Sequence, residues 1–272
     1  MLSGRGRDRS TISPRSLVAA IPAVACALLV GAGLISISPA PALSATHPSK
    51  VPHAASLRPV GLQPVSPQST EPMDPLLVEV IGFYTGSGGH MDDARAHELL
   101  LEAAADNDTL SRMWLARVYS RGRMLFERDD ERAREIAADV IDEVRRLADG
   151  NHHEAAFLMG TAYAEGLGVE ENQELAMAWY YRAADLGNML AQHNLGNAYH
   201  EGNNAPQDFG IAAYWFHRAA EQGDALPMFW LGQFYENGDG VEQDREKALY
   251  WYRESAKRGR ADAQAALDRL GG

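Results

Sequence analysis

From residue 155 onward, apolar and polar positions follow a helical rhythm. Ala155, Met159 and Tyr163 recur at i, i+4 and i+8, and Ala176, Trp179, Ala183 and Ala184 at i, i+3, i+7 and i+8. Each set lies along one face of an amphipathic helix. The spacing predicts a first helix near 155–165, stopped at Gly166, and a second near 173–186, stopped at Gly187, where a left-handed residue can end a helix. Asn172 suits the N-cap of the second helix, because its side-chain oxygen can accept from an orphan backbone N–H. Asn151, with Glu154 three residues on, suggests a capping box for the first helix.

The same pattern returns 36 residues later, and again 36 after that. Gly160, Gly196 and Gly232 form one identical column, and Tyr163, Tyr199 and Tyr235 another. Trp179, Trp215 and Trp251 form a third, and Asp208 and Asp244 take the capping place of Asn172. A fixed period of this length marks a structural repeat. Glycine inside a helix costs roughly 1 kcal/mol against alanine, so its recurrence points to a neighbouring helix passing too close for a Cβ. The expectation is that the tryptophans of the second helices cover these glycines and are core. One helix pair cannot bury its own apolar face, but stacked pairs can. The predicted fold is therefore all-α, an α-solenoid of stacked antiparallel helix pairs.

Three repeats are expected at about 155–190, 191–226 and 227–262, within a segment 151–272 that ends in a capping helix. Upstream, "MWLARVYSRG" (113–122) echoes the first-helix pattern, and 131–151 could supply its partner. The distance from Tyr119 to Tyr163 is 44 residues rather than 36, which implies an insertion. Residues 76–150 are read as degenerate helical repeats.

The motifs "AAFLMGTAYAEGLGVEENQELAMAWYYRAADLG", "AQHNLGNAYHEGNNAPQDFGIAAYWFHRAAEQG" and "PMFWLGQFYENGDGVEQDREKALYWYRESAKRG" resemble the Sel1-like repeat, a branch of the tetratricopeptide-type helical repeats. The second copy departs at Asn204 and Ala205, where the family has Gly-Val; asparagine tolerates the left-handed conformation that the turn needs. The third has Pro227 in the first turn of a helix, where proline is tolerated. The resemblance implies a protein-binding scaffold without catalysis, in which the first helix of each pair lines a concave side. Positions outside the repeating core are then the candidate partner-binding residues: Phe157, Thr161, His193, Asn197, His200, Phe229, Gln233 and Glu236. Phe157 and Phe229 are expected as exposed aromatic anchors.

Composition divides the chain differently. Eleven of the 13 prolines lie before residue 76, so 46–75 is expected to be a Pro-rich disordered linker. Residues 1–45 read in the order of an export signal: Arg5, Arg7, Arg9 and Arg15, then an uncharged apolar run from Leu17 to Ile37, then small residues at Ala40 to Ser44. The run is also long enough for a membrane anchor. Both readings put the repeats outside the cytoplasm, periplasmic or secreted in the first case and tethered to the inner membrane in the second. The first 45 residues hold four Arg and one Asp, leaving a net charge of −15 on the rest against −12 for the whole chain. Such a surface argues against nucleic acid as a partner and confines membrane contact to the N-terminal segment.

Chemistry finds little purchase. Cys26 is the only cysteine, which excludes internal disulfides and a cysteine-based zinc site. "GSGG" at 86–89 lacks the context of a phosphate loop and is read as a turn. His193 and His200 are seven residues apart, about 10 Å along a helix, too far to share one metal without other ligands. His152 and His153 are expected to point in different directions. No cofactor or metal is predicted. The leading expectation is an exported scaffold that holds a partner protein or extended peptide of the cell envelope. The alternatives are a β-lactam-binding or hydrolysing enzyme, an activity described for some cysteine-rich relatives, and a structural spacer.

Overall fold

A computed structural model describes residues 71–271. The N-terminal basic and apolar segments, and the linker as far as residue 70, lie outside the described residues. Eleven helices follow one another, with no strand among the described residues. They are α1 (Pro75–Thr85), α2 (Asp93–Ala105), α3 (Thr109–Arg121), α4 (Asp130–Asp149), α5 (His153–Glu165), α6 (Gln173–Asp185), α7 (Met189–Glu201), α8 (Phe209–Glu221), α9 (Ala225–Asn237), α10 (Arg245–Lys257) and α11 (Ala261–Leu270). Each helix packs on the next, and α3 also touches α5. Five antiparallel pairs therefore stack into an α-solenoid, with α11 covering the last. Among the described residues no helix is long and apolar enough to cross a membrane.

Asp or Asn side chains cap α6, α8 and α10: Asn172, Asp208 and Asp244 accept from Leu175, Ile211 and Lys247 N–H at 2.9–3.0 Å. The start of α5 differs from the expected capping box. Asn151 adopts φ 66° and occupies the left-handed link position that Gly187 and Gly223 take in later repeats. The cap is instead His152, whose Nδ1 accepts from Ala155 N–H at 3.3 Å. Because His152 precedes the helix, its ring stacks on that of His153 (5.5 Å, 13°) rather than diverging from it. Asn204 is left-handed at φ 63°, so the second copy keeps its turn without the usual glycine.

The glycines at 160, 196 and 232 do mark close approach, but the covering residue is not the tryptophan. A Cβ on them would lie 2.5, 2.4 and 2.5 Å from the rings of Tyr180, Phe216 and Tyr252. Each of these follows the tryptophan by one residue, about 100° further round the helix. The tryptophans pack sideways between successive second helices: Trp215 meets Tyr181 and Trp251 meets His217, both edge-on. Only Trp215 is fully buried; Trp179 and Trp251 are half-buried. The upstream insertion is mostly helical. α4 runs for 20 residues where α6, α8 and α10 have 13, about two extra turns at 3.6 residues each.

The repeat unit also curves back on itself. The α1–α2 loop, which contains the Gly-Ser-Gly-Gly stretch, docks on the links before α9 and after α10. Met91 N–H donates to the Arg258 carbonyl at 2.9 Å. Gly86 and Gly223 are smooth where the surfaces meet: a Cβ on Gly86 would lie 3.1 Å from Arg258 Cβ, and one on Gly223 would lie 3.0 Å from Ser87 Cα. Ser87→Trp places a wedge in this contact without altering a helix. Amide exchange at Met91 is expected to rise about tenfold or more while protection of α5 and α7 stays constant. Unchanged exchange at Met91 would show that the contact is absent in solution.

Candidate functional site

The first helices of the pairs carry the candidate residues, and packing treats them unequally. Phe157 is 0% exposed and Thr161 is 2% exposed, so Phe157 is not the exposed anchor expected from its column. The reason lies in its neighbours on either side: Trp114 upstream and Tyr180 downstream pack beside its ring, with centroids 6.1 and 6.0 Å away. His193 Nδ1 is 2.8 Å from Asp224 Oδ2, which ties α7 to the start of α9. His200 lies in an aromatic cluster with Trp230 (4.5 Å), Phe234, Phe209 and Phe216. Phe229 is half-buried, against Tyr252 and Trp230, and Gln233 is half-buried as well. Glu236 is committed to the fold: both its oxygens accept from Arg269 (2.6 and 2.8 Å), and Tyr252 donates at 2.8 Å. Hydrogen bonding by Arg269 holds the Glu236 carboxyl below its ordinary pKa.

Asn197 is different. It lines a groove of about 570 Å³ between α5, α6 and α7. One wall is rich in primary amides: Gln173 from α6, Asn194 and Asn197 one turn apart on α7, and Asn203 and Asn204 beyond it. Gln173 and Asn204 bond each other at 3.2 Å. The side-chain amides of Asn194 and Asn197, unlike their backbone groups within α7, make no hydrogen bond to any described residue. Tyr180 and Met177 give the groove an apolar floor, and Arg121, Glu165 and Glu201 supply charge at its edges.

Glu165 is the electrostatic centre of this region. It accepts from Arg123 Nη2 at 2.9 Å and from the Ser120 hydroxyl, and Arg121 Nε lies 3.3 Å away. Burial pulls its carboxyl pKa up, but the charge and hydrogen bond of Arg123, with Ser120 and Arg117, outweigh it and hold the value below the ordinary range. Burial, together with the charge of Arg117, lowers the Arg123 guanidinium from its usual value. Burial raises the Tyr180 phenol.

A second polar cluster is sealed inside the stack. Glu154, 2% exposed, accepts from Trp114 Nε1–H and from Asn188 Nδ2–H, each at 2.7 Å. It joins three successive repeats: Trp114 on α3, itself at the start of α5, and the cap of α7. Desolvation raises its pKa despite both donors. Among the described residues no group of three or more His, Cys, Asp or Glu is placed to hold a metal ion.

Arg117 and Trp114 escaped the sequence pattern. A shift of 36 residues does not reach them, but the 44-residue offset places Arg117 in the column of Thr161, Asn197 and Gln233. Arg117 therefore belongs to the same helix face as the predicted residues.

The Sel1 repeat family matches the chain over residues 82–108, 110–136, 153–188, 190–224 and 228–259, more than half of its length. Similar solved structures include a Sel1 repeat protein from Oxalobacter formigenes, 34% identical over 66% of this chain and 50% of that one, with a TM-score of 0.46. Another is a protective antigen of uropathogenic Escherichia coli, 24% identical over 72% of this chain and 48% of that one, with a TM-score of 0.48. A third is an immunity protein from Pseudomonas aeruginosa, 16% identical over 76% of this chain and 88% of that one, with a TM-score of 0.38. The chain spans about half the length of the first two. No curated protein matches it significantly.

Proposed function

Since the chain belongs to the Sel1 repeat family, whose members generally serve as protein-binding scaffolds, we propose that it holds an extended segment of a partner protein in the groove between α5, α6 and α7. The observation that carries this reading is the pair Asn194 and Asn197, which line the groove and whose side-chain amides make no hydrogen bond to any described residue. A primary amide offers donors and an acceptor, the complement of a peptide unit. Two amides one turn apart can read an extended backbone with little regard to its side chains, while Tyr180 and Met177 give apolar contact below. The role is binding, without turnover. The repeats act outside the cytoplasm; the support for this is the basic, apolar and small-residue order of positions 1–45.

A photo-crosslinking residue placed at Asn197 tests the site, with one at Tyr250, 40% exposed on α10, as the reference. Crosslinks to a defined partner are expected from position 197 and not from 250. The double change Asn194→Ala, Asn197→Ala should weaken binding of that partner about tenfold, as befits two hydrogen bonds worth about 0.5–1.5 kcal/mol each. Equal crosslinking from both faces would refute the groove as the binding surface.

A further inference from the structure

We propose that the α3–α4 loop is a self-association knob: Leu125 of one copy enters an apolar pocket beside α1 of a second copy, and the exchange is reciprocal. This goes beyond the groove reading and does not depend on it.

The knob is an inserted residue. Asp129, the cap of α4, follows Gly122 by seven residues, whereas Asn172, Asp208 and Asp244 follow Gly166, Gly202 and Gly238 by six. Counted back from the cap, Phe126 stands in the column of Val169, Ala205 and Val241, which pack inward on the core. Phe126 packs likewise: it is buried, stacked on His97 and edge-on to Tyr119. Counted forward from the glycine, Met124 stands in the column of Gly168, Asn204 and Gly240 and shares their left-handed turn at φ 51°. Leu125 is therefore the extra residue. It too is left-handed, at φ 62°, and it is 69% exposed. Two consecutive residues with bulky side chains are strained in this conformation, and such strain clusters at binding and switch sites. The loop is nevertheless well held. His97 Nδ1 lies 3.0 Å from the Met124 carbonyl oxygen, Phe126 N–H donates to the Arg123 carbonyl at 3.0 Å, and Arg123 is anchored on Glu165. A rigid mount thus holds a leucine in water, where its apolar surface gains only if another molecule covers it.

The hole lies on the same edge of the solenoid. His97 is near the start of α2, so its contact with Met124 puts the knob beside the α1–α2 loop. There Val78, Glu79, Gly82, Phe83, Ser87 and Gly88 line a pocket of about 360 Å³. Gly82 and Gly88 offer no side chain to fill it, and Val78 is 49% exposed, with no described helix preceding α1. Knob and hole side by side on one edge suit a two-fold pair, in which each copy's leucine faces the other's pocket across the axis. The charges agree. Glu79, exposed and without an ion pair to any described residue, edges the pocket. Arg121 and Arg128, both exposed, flank the leucine. Arg128 pairs with Asp130, but Arg121 and Arg123 share the single carboxylate of Glu165, which leaves one positive charge for Glu79 of a second copy.

Two variants of the full-length chain test the pairing, both carrying Cys26→Ser so that each has one thiol: Leu125→Cys and Val78→Cys. Mixed, they should form a disulfide between copies, and neither should crosslink with itself. Sedimentation of the unaltered chain should show a reversible dimer. Leu125→Gly suits the left-handed backbone and removes no core contact, so it should keep the helical circular dichroism signal. It should raise the dimer dissociation constant at least about a hundredfold, since each dimer loses two buried leucines worth roughly tenfold apiece. Glu79→Arg should weaken the dimer less, by the loss of one attraction per pocket.

A chain that stays monomeric at every concentration at which it is soluble overturns the proposal. So does a dimer that Leu125→Gly leaves intact, since another surface then holds it. Leu125→Cys that crosslinks with itself as readily as with Val78→Cys sets leucine against leucine and overturns the pocket as its seat.

Discussion

Replacing Gly240 with alanine is expected to destabilise the fold by on the order of 4 kcal/mol. Two costs combine. Gly240 has φ 68°, a left-handed conformation that disfavours any Cβ by roughly 1–2 kcal/mol. Its Cβ would also fall 2.2 Å from the carbonyl carbon of Phe209 and 2.4 Å from the backbone nitrogen of Gly210. These are main-chain atoms at the start of α8, which cannot swing aside as a side chain can. The turn after α9 would have to lift from the preceding repeat. Gly166 is the control: it is left-handed at φ 67°, but a Cβ there meets nothing closer than 3.8 Å. Gly166→Ala should cost only the conformational term, about 1 kcal/mol. Urea midpoints compare the two, and equal losses would mean that the close approach of the turn to α8 is wrong.

Glu154→Ala is expected to cost about 3–5 kcal/mol, because it strands Trp114 Nε1–H and Asn188 Nδ2–H inside the stack. The effect should reach across three repeats, since one carboxylate joins α3, α5 and α7. Glu154 also shapes the response to pH. Its folded pKa is raised by desolvation, so the native state holds a proton more tightly than the unfolded chain. Its contribution is fully present below the ordinary glutamate pKa and is lost as pH rises through the folded value. Stability measured from acid toward neutral pH should therefore decline across that window. Glu154→Gln, which does not titrate, should flatten the decline even though its amide meets one donor badly. A parent profile that rises through the same window, with no change in the variant, would contradict the assignment.

The repeat was legible because packing imposes identity. A glycine against an aromatic ring, a left-handed turn and an aspartate cap tolerate few substitutes, so they recur at 36 residues. Which aromatic met the glycine was not legible. Trp179 and Tyr180 are neighbours, and the rotation of the second helix about its own axis is set by the next repeat rather than by its own pattern. The cap of α5 was misplaced by one residue for a similar reason: Asn151 can cap a helix or adopt the left-handed link, and the geometry of the link decided. The upstream repeats were blurred by the two extra turns of α4. Those turns moved Arg117 and Trp114 out of register with the columns to which they belong.

The candidate site was legible only at the level of a face. The repeating columns put Asn197 on that face, where it lines the groove, but they could not tell that Phe157 is covered or that Glu236 is tied to Arg269. Both outcomes depend on residues from other repeats, 33 to 43 positions away in sequence for Trp114 and Arg269. The closing contact was equally hidden. Gly86 to Gly89 carry the composition of any turn, and nothing local announces that their surroundings include Arg258.

That closing contact has a consequence for how such a protein can change. An open ladder of helix pairs can gain or shed a rung and remain whole, with its ends fraying independently. Here Met91 reaches Arg258 only because the number of pairs and the curvature of each agree. A duplicated or deleted rung would part the hoop, so its copy number is constrained by geometry, and its two ends should melt together rather than one at a time.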